Sequence, residues 1–267
     1  MAVRIGIDVG GTFTDAVILD NDTFELIGTV KVPTTHESEQ GVAEGIVKAL
    51  KKALEEYNIS PEDVTFIAHG TTQATNALLE GDVEKVGIVG VGRGVEGYKV
   101  KLDTEIGKIE LAPNKFLCTK HYFLTQDNNL QKNLNDYIAD MISENIGVAV
   151  VSAAYSVDDP TSEIEVMDSI AEAGLLGTCS HEISKLYGLR IRTRTAVINA
   201  SILPKMIQTA NMTEKSVIDS NISAPLMIMR CDGGVMSVKE ISKRPILTML
   251  SGPAAGVAGA LMSEKVS

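Results

Sequence analysis

Apolar positions along the chain alternate between a period of two and a period near four. Residues 3–9 (VRIGIDV) are apolar and β-branched and stop at Gly10-Gly11, which predicts a strand, and residues 13–19 (FTDAVIL) predict a second. The Asp20-Asn-Asp22 turn leads to a third at 24–32, and connections this short require antiparallel pairing. In 37–57, Val42, Ile46, Leu50 and Leu54 recur at every fourth position with charges between them, the pattern of an amphipathic helix. Ser60-Pro61-Glu-Asp63 ends it. Residues 64–68 read as a buried strand entering His69-Gly-Thr-Thr72, followed by a helix at 73–80 and a strand at 83–91.

The stretch 95–130 is less regular: 98–111 alternates weakly, as a strand would, and Asn128-Asn129 marks a loop. From 130 the rhythm is helix 130–144, strand 147–153, helix 160–173 and strand 178–183. Residues 195–220 read as helix, with Pro204 expected to kink or interrupt it. A strand at 225–231 opens into Asp232-Gly-Gly234, and a short helix covers 237–243. The chain ends on a helix of small residues with Pro253 in its first turn. This order predicts an α/β fold with a mixed sheet, antiparallel hairpin strands first and then parallel strands joined by helical crossovers.

Composition narrows the function. The chain has 267 residues, 44% hydrophobic but only 4% aromatic, so its core is aliphatic. A formal net charge of −11 excludes the basic footprint that nucleic acid or an anionic membrane surface requires. The apolar run 146–157 is too short to span a bilayer. Cys118, Cys179 and Cys231 are far apart, which argues against a disulfide or metal framework and for a reducing cytoplasm.

The densest chemistry is Asp8-Val-Gly-Gly-Thr-Phe-Thr-Asp15. Gly10 and Gly11 let backbone N–H groups close on an anion, and Thr12 and Thr14 add hydroxyl donors. Asp8, at the strand end, is placed to hold a divalent cation. A second candidate is His69-Gly-Thr-Thr72, where Gly70, Thr71 and Thr72 could either cap the next helix or bind an anion. Asp232-Gly-Gly234 lacks a following Thr and reads as a plain β-turn. Gly92-Arg93-Gly94-Val95-Glu96-Gly97 fits the dinucleotide pattern GxGxxG, but the strand-like alternation after it argues against a Rossmann site. P-loop, zincin and α/β-hydrolase motifs do not occur.

Together, residues 5–20 (IGIDVGGTFTDAVILD), 31–35 (KVPTT), 69–81 (HGTTQATNALLEG) and 250–260 (LSGPAAGVAGA) resemble the hydantoinase A/5-oxoprolinase family of the actin, sugar-kinase and heat-shock-chaperone ATPase superfamily. The resemblance implies an RNase H-like (actin-like ATPase) lobe that uses ATP and magnesium to open a cyclic amide of the hydantoin or 5-oxoproline type, often with a hydantoinase B-type partner subunit. It implies Asp8 and His69 as catalytic residues, Asp8 also as the metal ligand, and Gly10, Gly11, Thr12, Thr14, Gly70, Thr71 and Thr72 around the nucleotide. Residues 1–190 would form the N-terminal domain and 191–267 the start of the core region. The family's second Asp-x-Gly-Gly-Thr loop would lie beyond Ser267, so the chain is expected to be part of a longer protein. An exposed small-residue helix at its end would favour a homo-oligomer. The region after 83–91 departs from the family pattern and leaves the ring substrate open. A related carboxylase subunit, a small-molecule kinase and a non-catalytic nucleotide-binding module are the alternatives.

Overall fold

Three strands, Val3–Val9 (β1), Phe13–Asp20 (β2) and Leu26–Pro33 (β3), form an antiparallel meander. The computed structural model describes residues 1–35 and 42–263, so the first residues of the helix expected at 37–57 lie outside the described residues. Helix Val42–Glu56 (α1) carries the chain over to Val64–Thr71 (β4), which pairs parallel with β1. Leu226–Met229 (β11) adds parallel to β4, and Val235–Ser237 (β12) closes the edge antiparallel, giving the order β12-β11-β4-β1-β2-β3. This is the mixed sheet that the element order predicts.

One face of this sheet is core. Val3, Ile5, Ile7 and Val9 of β1, Ala16 and Ile18 of β2, and Val30 and Val32 of β3 are buried. Helix α1 packs against β2 and β3 with Ile46, Ala49, Leu50 and Ala53, all fully buried. Leu54 is only partly covered, because steps of four residues overshoot a 3.6-residue turn by about 40° each. Two alanines fill the stripe that Leu54 rotates away from. Burying each large aliphatic side chain here is worth about 1.5–3 kcal/mol.

The chain divides into two compact units, Met1–Asn76 with Lys205–Ser267, and Ala77–Pro204. The second unit has its own parallel sheet. Its strands are Val86–Gly92 (β5), Thr119–Thr125 (β8), Val148–Ala153 (β9) and Leu176–Cys179 (β10), in the order β10-β9-β5-β8. Every residue of β9 is buried, which explains its unbroken apolar run. Helices Leu130–Ser143 (α4) and Thr161–Glu172 (α5) cover one face through Leu134, Ile138, Met141, Val166 and Ile170. Ala196, Val197 and Ala200 of the long helix Leu189–Asp219 (α7) cover the other.

Three readings of the sequence change. Residues 98–111 are not mainly a strand: Gly94–Thr104 is a helix (α3), and only Ile109–Ala112 (β6) is extended, pairing with Lys115–Leu117 (β7). The buried side of α3 is Gly97, Val100 and Thr104, a helical i, i+3, i+7 set. Two of its three members are not apolar, so Tyr98 and Leu102, which are exposed, produced the apparent alternation. The strand expected at 178–183 stops at Cys179 and becomes a helical turn, Ser180–Ile183 (α6). Finally, Pro204 does not interrupt α7, although its missing N–H leaves the Ala200 carbonyl without its helical donor; the boundary between the units falls at this proline. Among the described residues no helix is long and apolar enough to cross a membrane. All three cysteines are free.

Candidate active site

Strand register brings one row of side chains together on the open face of the first unit's sheet. Asp8 pairs with Asp15 of β2 on one side and with Gly70 of β4 on the other, and Asp15 pairs with Lys31 of β3. Directly paired residues point to the same face, so Gly70, Asp8, Asp15 and Lys31 lie side by side across four strands. Gly70 leaves the Asp8 carboxylate room: a Cβ would come within 3.1 Å of Asp8 Oδ1. Lys31 Nζ neutralises Asp15 at 2.9 Å, whereas the Asp8 carboxylate has no hydrogen-bond or ion-pair partner among the described residues. Partial desolvation, and then the charge of Asp15, push the Asp8 carboxyl above its usual value. An unpaired, raised carboxylate is one that a cation would stabilise.

The turn beside it is held from behind. Gly10 N–H donates to the Phe13 carbonyl at 3.0 Å, and Thr34 N–H donates to the Thr12 carbonyl at 2.9 Å. The Thr34 hydroxyl donates to the Gly10 carbonyl at 2.9 Å and lies 3.1 Å from the Thr14 hydroxyl. Thr14 is buried on the core face, and Gly45 of α1 leaves room for its hydroxyl. Gly11 and Thr12 are exposed at the tip. Neither Gly10 nor Gly11 adopts a positive φ, so strain does not demand glycine at Gly11; a Cβ there would project into open space.

The second motif also divides between two faces. Gly70 and Thr72 are open, and His69 and Thr71 are buried. Thr71 Oγ1 accepts the Gln73 N–H at 3.2 Å and so caps helix Gln73–Glu80 (α2). His69 pairs with Ile7 in register, on the face opposite Asp8. Burial, opposed weakly by the Ile7 backbone, lowers its pKa to about 4, and neither ring nitrogen has a hydrogen-bond partner. The motif at 250–260 docks on the same strand end. Leu250 N–H donates to Thr75 Oγ1 and Ser251 Oγ to the Thr71 carbonyl, both at 3.3 Å, where helix Ser251–Ser263 (α9) begins. All four motifs therefore meet around the end of β1 and β4.

Asp15, Lys31, Thr34 and Ser251 were not singled out in the sequence, because their places depend on register. A tight hairpin after Val9 is the signal that would have paired Asp8 with Asp15. Asp232-Gly-Gly234 is the expected plain turn, with Gly233 at φ 82, Gly234 N–H bonded to Asp232 Oδ1, and Arg230 paired with Asp232.

The architecture is shared with two larger enzymes. A nucleotide-free acetone carboxylase superposes with TM-score 0.74 at 20% identity, covering 99% of this chain and 41% of that one. An ATP-dependent caprolactamase from Pseudomonas jessenii gives 0.71 at 22%, covering 97% and 40%. The likeness shows a shared α/β fold. Residues 4–174 match the hydantoinase/oxoprolinase N-terminal region and residues 192–267 the hydantoinase/oxoprolinase family, to which the chain belongs. Among relatives, an uncharacterised protein of Methanocaldococcus jannaschii is 27% identical over the whole chain and 41% of its own length. Caprolactamase subunit alpha of Pseudomonas jessenii is 25% identical over 94% of this chain and 38% of its own length. The chain thus spans about two fifths of the curated relatives it matches.

Proposed function

We propose that the protein contributes the phosphate- and metal-holding side of an ATP-dependent hydrolase that opens a cyclic amide of the hydantoin or 5-oxoproline type. The observation that carries this reading is the unpaired Asp8 carboxylate, set above side-chain-free Gly70 and beside the Gly10-Gly11-Thr12 tip. Oxygen donors with room around them suit magnesium, which prefers one or two carboxylates together with nucleotide phosphates. Asp8 would hold it, and bound there it would offset phosphate charge. The exposed tip at Gly11 and Thr12, with Gly10, Gly70 and Thr72 beside it, would lie along the phosphates. Thr14, His69 and Thr71, on the core face, would position these strand ends rather than touch the nucleotide.

Transfer of the γ-phosphoryl group to the amide oxygen makes the ring carbon electrophilic. A first water adds to that carbon and the C–N bond breaks, which frees the ring nitrogen (an amine from 5-oxoproline, a carbamoyl group from a hydantoin) and leaves an acyl phosphate; a second water releases phosphate and leaves the carboxylate. Family membership and the caprolactamase relative support this chemistry. The name of that relative's subunit also supports a partner of the hydantoinase B type, and use of ATP favours the cytoplasm. The test is ATP hydrolysis by the full protein with its B-type partner, screened against hydantoins, 5-oxoproline and larger lactams, with acetone and bicarbonate alongside. Turnover stimulated by a cyclic amide supports the proposal. Stimulation by acetone and bicarbonate alone would assign the protein to the carboxylase branch.

A further inference from the structure

We propose that the second unit carries a separate binding site for a zwitterionic amino acid, in the cavity at the carboxyl ends of β5 and β9. The cavity has a volume of about 380 Å³, at the small end of the roughly 300–1,000 Å³ typical of ligand pockets. Its position follows from topology. From β5 the chain moves to β8 on one side and then crosses to β9 on the other, so the strand order reverses between β5 and β9. Helices α3 and α5 consequently leave on opposite faces: α3 packs over Gly90 and Gly92, α5 over Val89 and Val91. Open parallel sheets bind ligands in the crevice this reversal leaves.

The glycines at this crevice serve packing and backbone exposure. A Cβ at Gly92 would crowd the Gly97 backbone at 3.0 Å and Val100 and Phe123 beyond it, and one at Gly97 would touch Phe123 and Gly92, so these two glycines bring strand and helix close together. Gly94, at φ 57, has nothing within 4 Å of a built Cβ, which leaves backbone exposed at a helix start that no side chain caps. The opposite wall is fixed from behind. Glu163, fully buried, accepts bonds from Ala153 N–H at 2.8 Å, Ser180 Oγ at 2.6 Å and the His181 N–H at 3.1 Å, and its Oε2 lies 2.7 Å from His181 Nδ1. Arg192, also buried, donates to the Ala153 carbonyl at 2.7 Å and to Ser156 Oγ at 3.1 Å. These bonds occupy both oxygens of Glu163 and lock the β9 end to α5, while Arg93 and Glu165 stay available to a ligand.

Two of the cavity's groups define the ligand. Arg93, Glu96, Gln126, Asp159, Ser162 and Glu165 line the cavity; Glu96 is engaged by Tyr155 and Asp159 by Thr161, whereas the Arg93 and Glu165 side chains make no hydrogen bond or ion pair among the described residues. A phosphate ester would meet Glu96 and Glu165. A simple cation would meet Arg93 and the uncapped N–H groups of α3. A molecule with one carboxylate and one ammonium satisfies both ends, with the carboxylate toward Arg93 and the ammonium toward Glu165.

Titration calorimetry with the common amino acids and short ω-amino acids tests the site. Each is paired with its deaminated acid and its decarboxylated amine, and inorganic phosphate and NAD serve as rivals. The expected result is saturable binding of at least one amino acid, weakened about tenfold or more by removing either charged end. Arg93→Ala and Glu165→Gln, both at exposed positions and checked by thermal melting, should each weaken binding by a similar factor. No saturable amino-acid binding, equal affinity for a singly charged analogue, or unchanged affinity in both variants overturns the proposal. So does phosphate or NAD binding that is lost in Arg93→Ala.

Discussion

Asp8 and His69 lie on adjacent strands but face opposite sides of the sheet, and their titration separates their roles. The Asp8 carboxyl is raised in the folded chain, so its favourable contribution exists below the ordinary carboxylate pKa and is lost as pH rises through the folded value. At neutral pH the ligand-free protein therefore carries an uncompensated charge. Asp8→Asn should raise the ligand-free melting temperature at pH 7 and lower magnesium-dependent ATP affinity about tenfold or more. Calorimetry showing wild-type affinity in that variant would remove Asp8 from the metal site. Gly70→Ala should reproduce the loss of binding, because its Cβ would crowd Asp8 Oδ1, with little change in melting. His69 has the opposite sign. Its pKa falls from 6.5 to about 4, so its stability contribution is intact above the unfolded value and is lost as pH drops from 6.5 toward 4. At the low end the loss approaches about 3 kcal/mol. Urea titrations at a series of pH values should show this acid limb in the wild type and a flatter one in His69→Met. An unchanged limb would mean that His69 titrates normally.

At the scale of elements, legibility followed how locally each one is determined. The β1–β2–β3 meander, α1 and β9 could be read because alternation, a charged helix face and an all-buried run are written in contiguous residues. Periodicity misses helix α3 because its inner face is built from Gly97, Val100 and Thr104, of which a hydrophobic count registers only Val100. For the site, the glycine turn and Asp8 were readable from turn chemistry. The Gly70–Asp8–Asp15–Lys31 row was not, since pairing across four strands exists only once register is set. The packing of α3 can be tested. A Cβ at Gly97 would already touch the Phe123 ring at 3.4 Å and Gly92 backbone at 3.5 Å, so the two γ-methyls of Gly97→Val should press α3 away from β5. Denaturant unfolding should show a loss of about 1–3 kcal/mol. Gly107→Ala, at φ 68 but facing open space, should cost only about 1–2 kcal/mol. Equal effects of both substitutions would mean that α3 is not tightly seated.

For the whole molecule, the decisive feature is that the Asp8 row grips from one side. It offers one unpaired carboxylate and an open glycine turn, but no unpaired cation: Lys31, the one basic group in the row, is engaged with Asp15. Phosphoryl transfer requires developing negative charge to be stabilised from several directions, largely by positioning and electrostatics. Residues 1–267 by themselves should therefore bind magnesium–ATP weakly and turn it over no faster than buffer. The same chain leaves Leu250, Val257, Leu261 and Met262 exposed along and beside α9, a helix that is apolar over most of its surface. Clustered exposed apolar side chains favour association, so light scattering should report a concentration-dependent mass above that of one chain. Val257→Asp combined with Leu261→Glu should return the mass to that of a monomer without altering ATP affinity, since neither residue belongs to the phosphate turn. Robust turnover by a monomeric wild-type chain would show that this side alone completes the active site. The carboxylate row would then have to be read as the whole catalytic apparatus rather than half of a clamp.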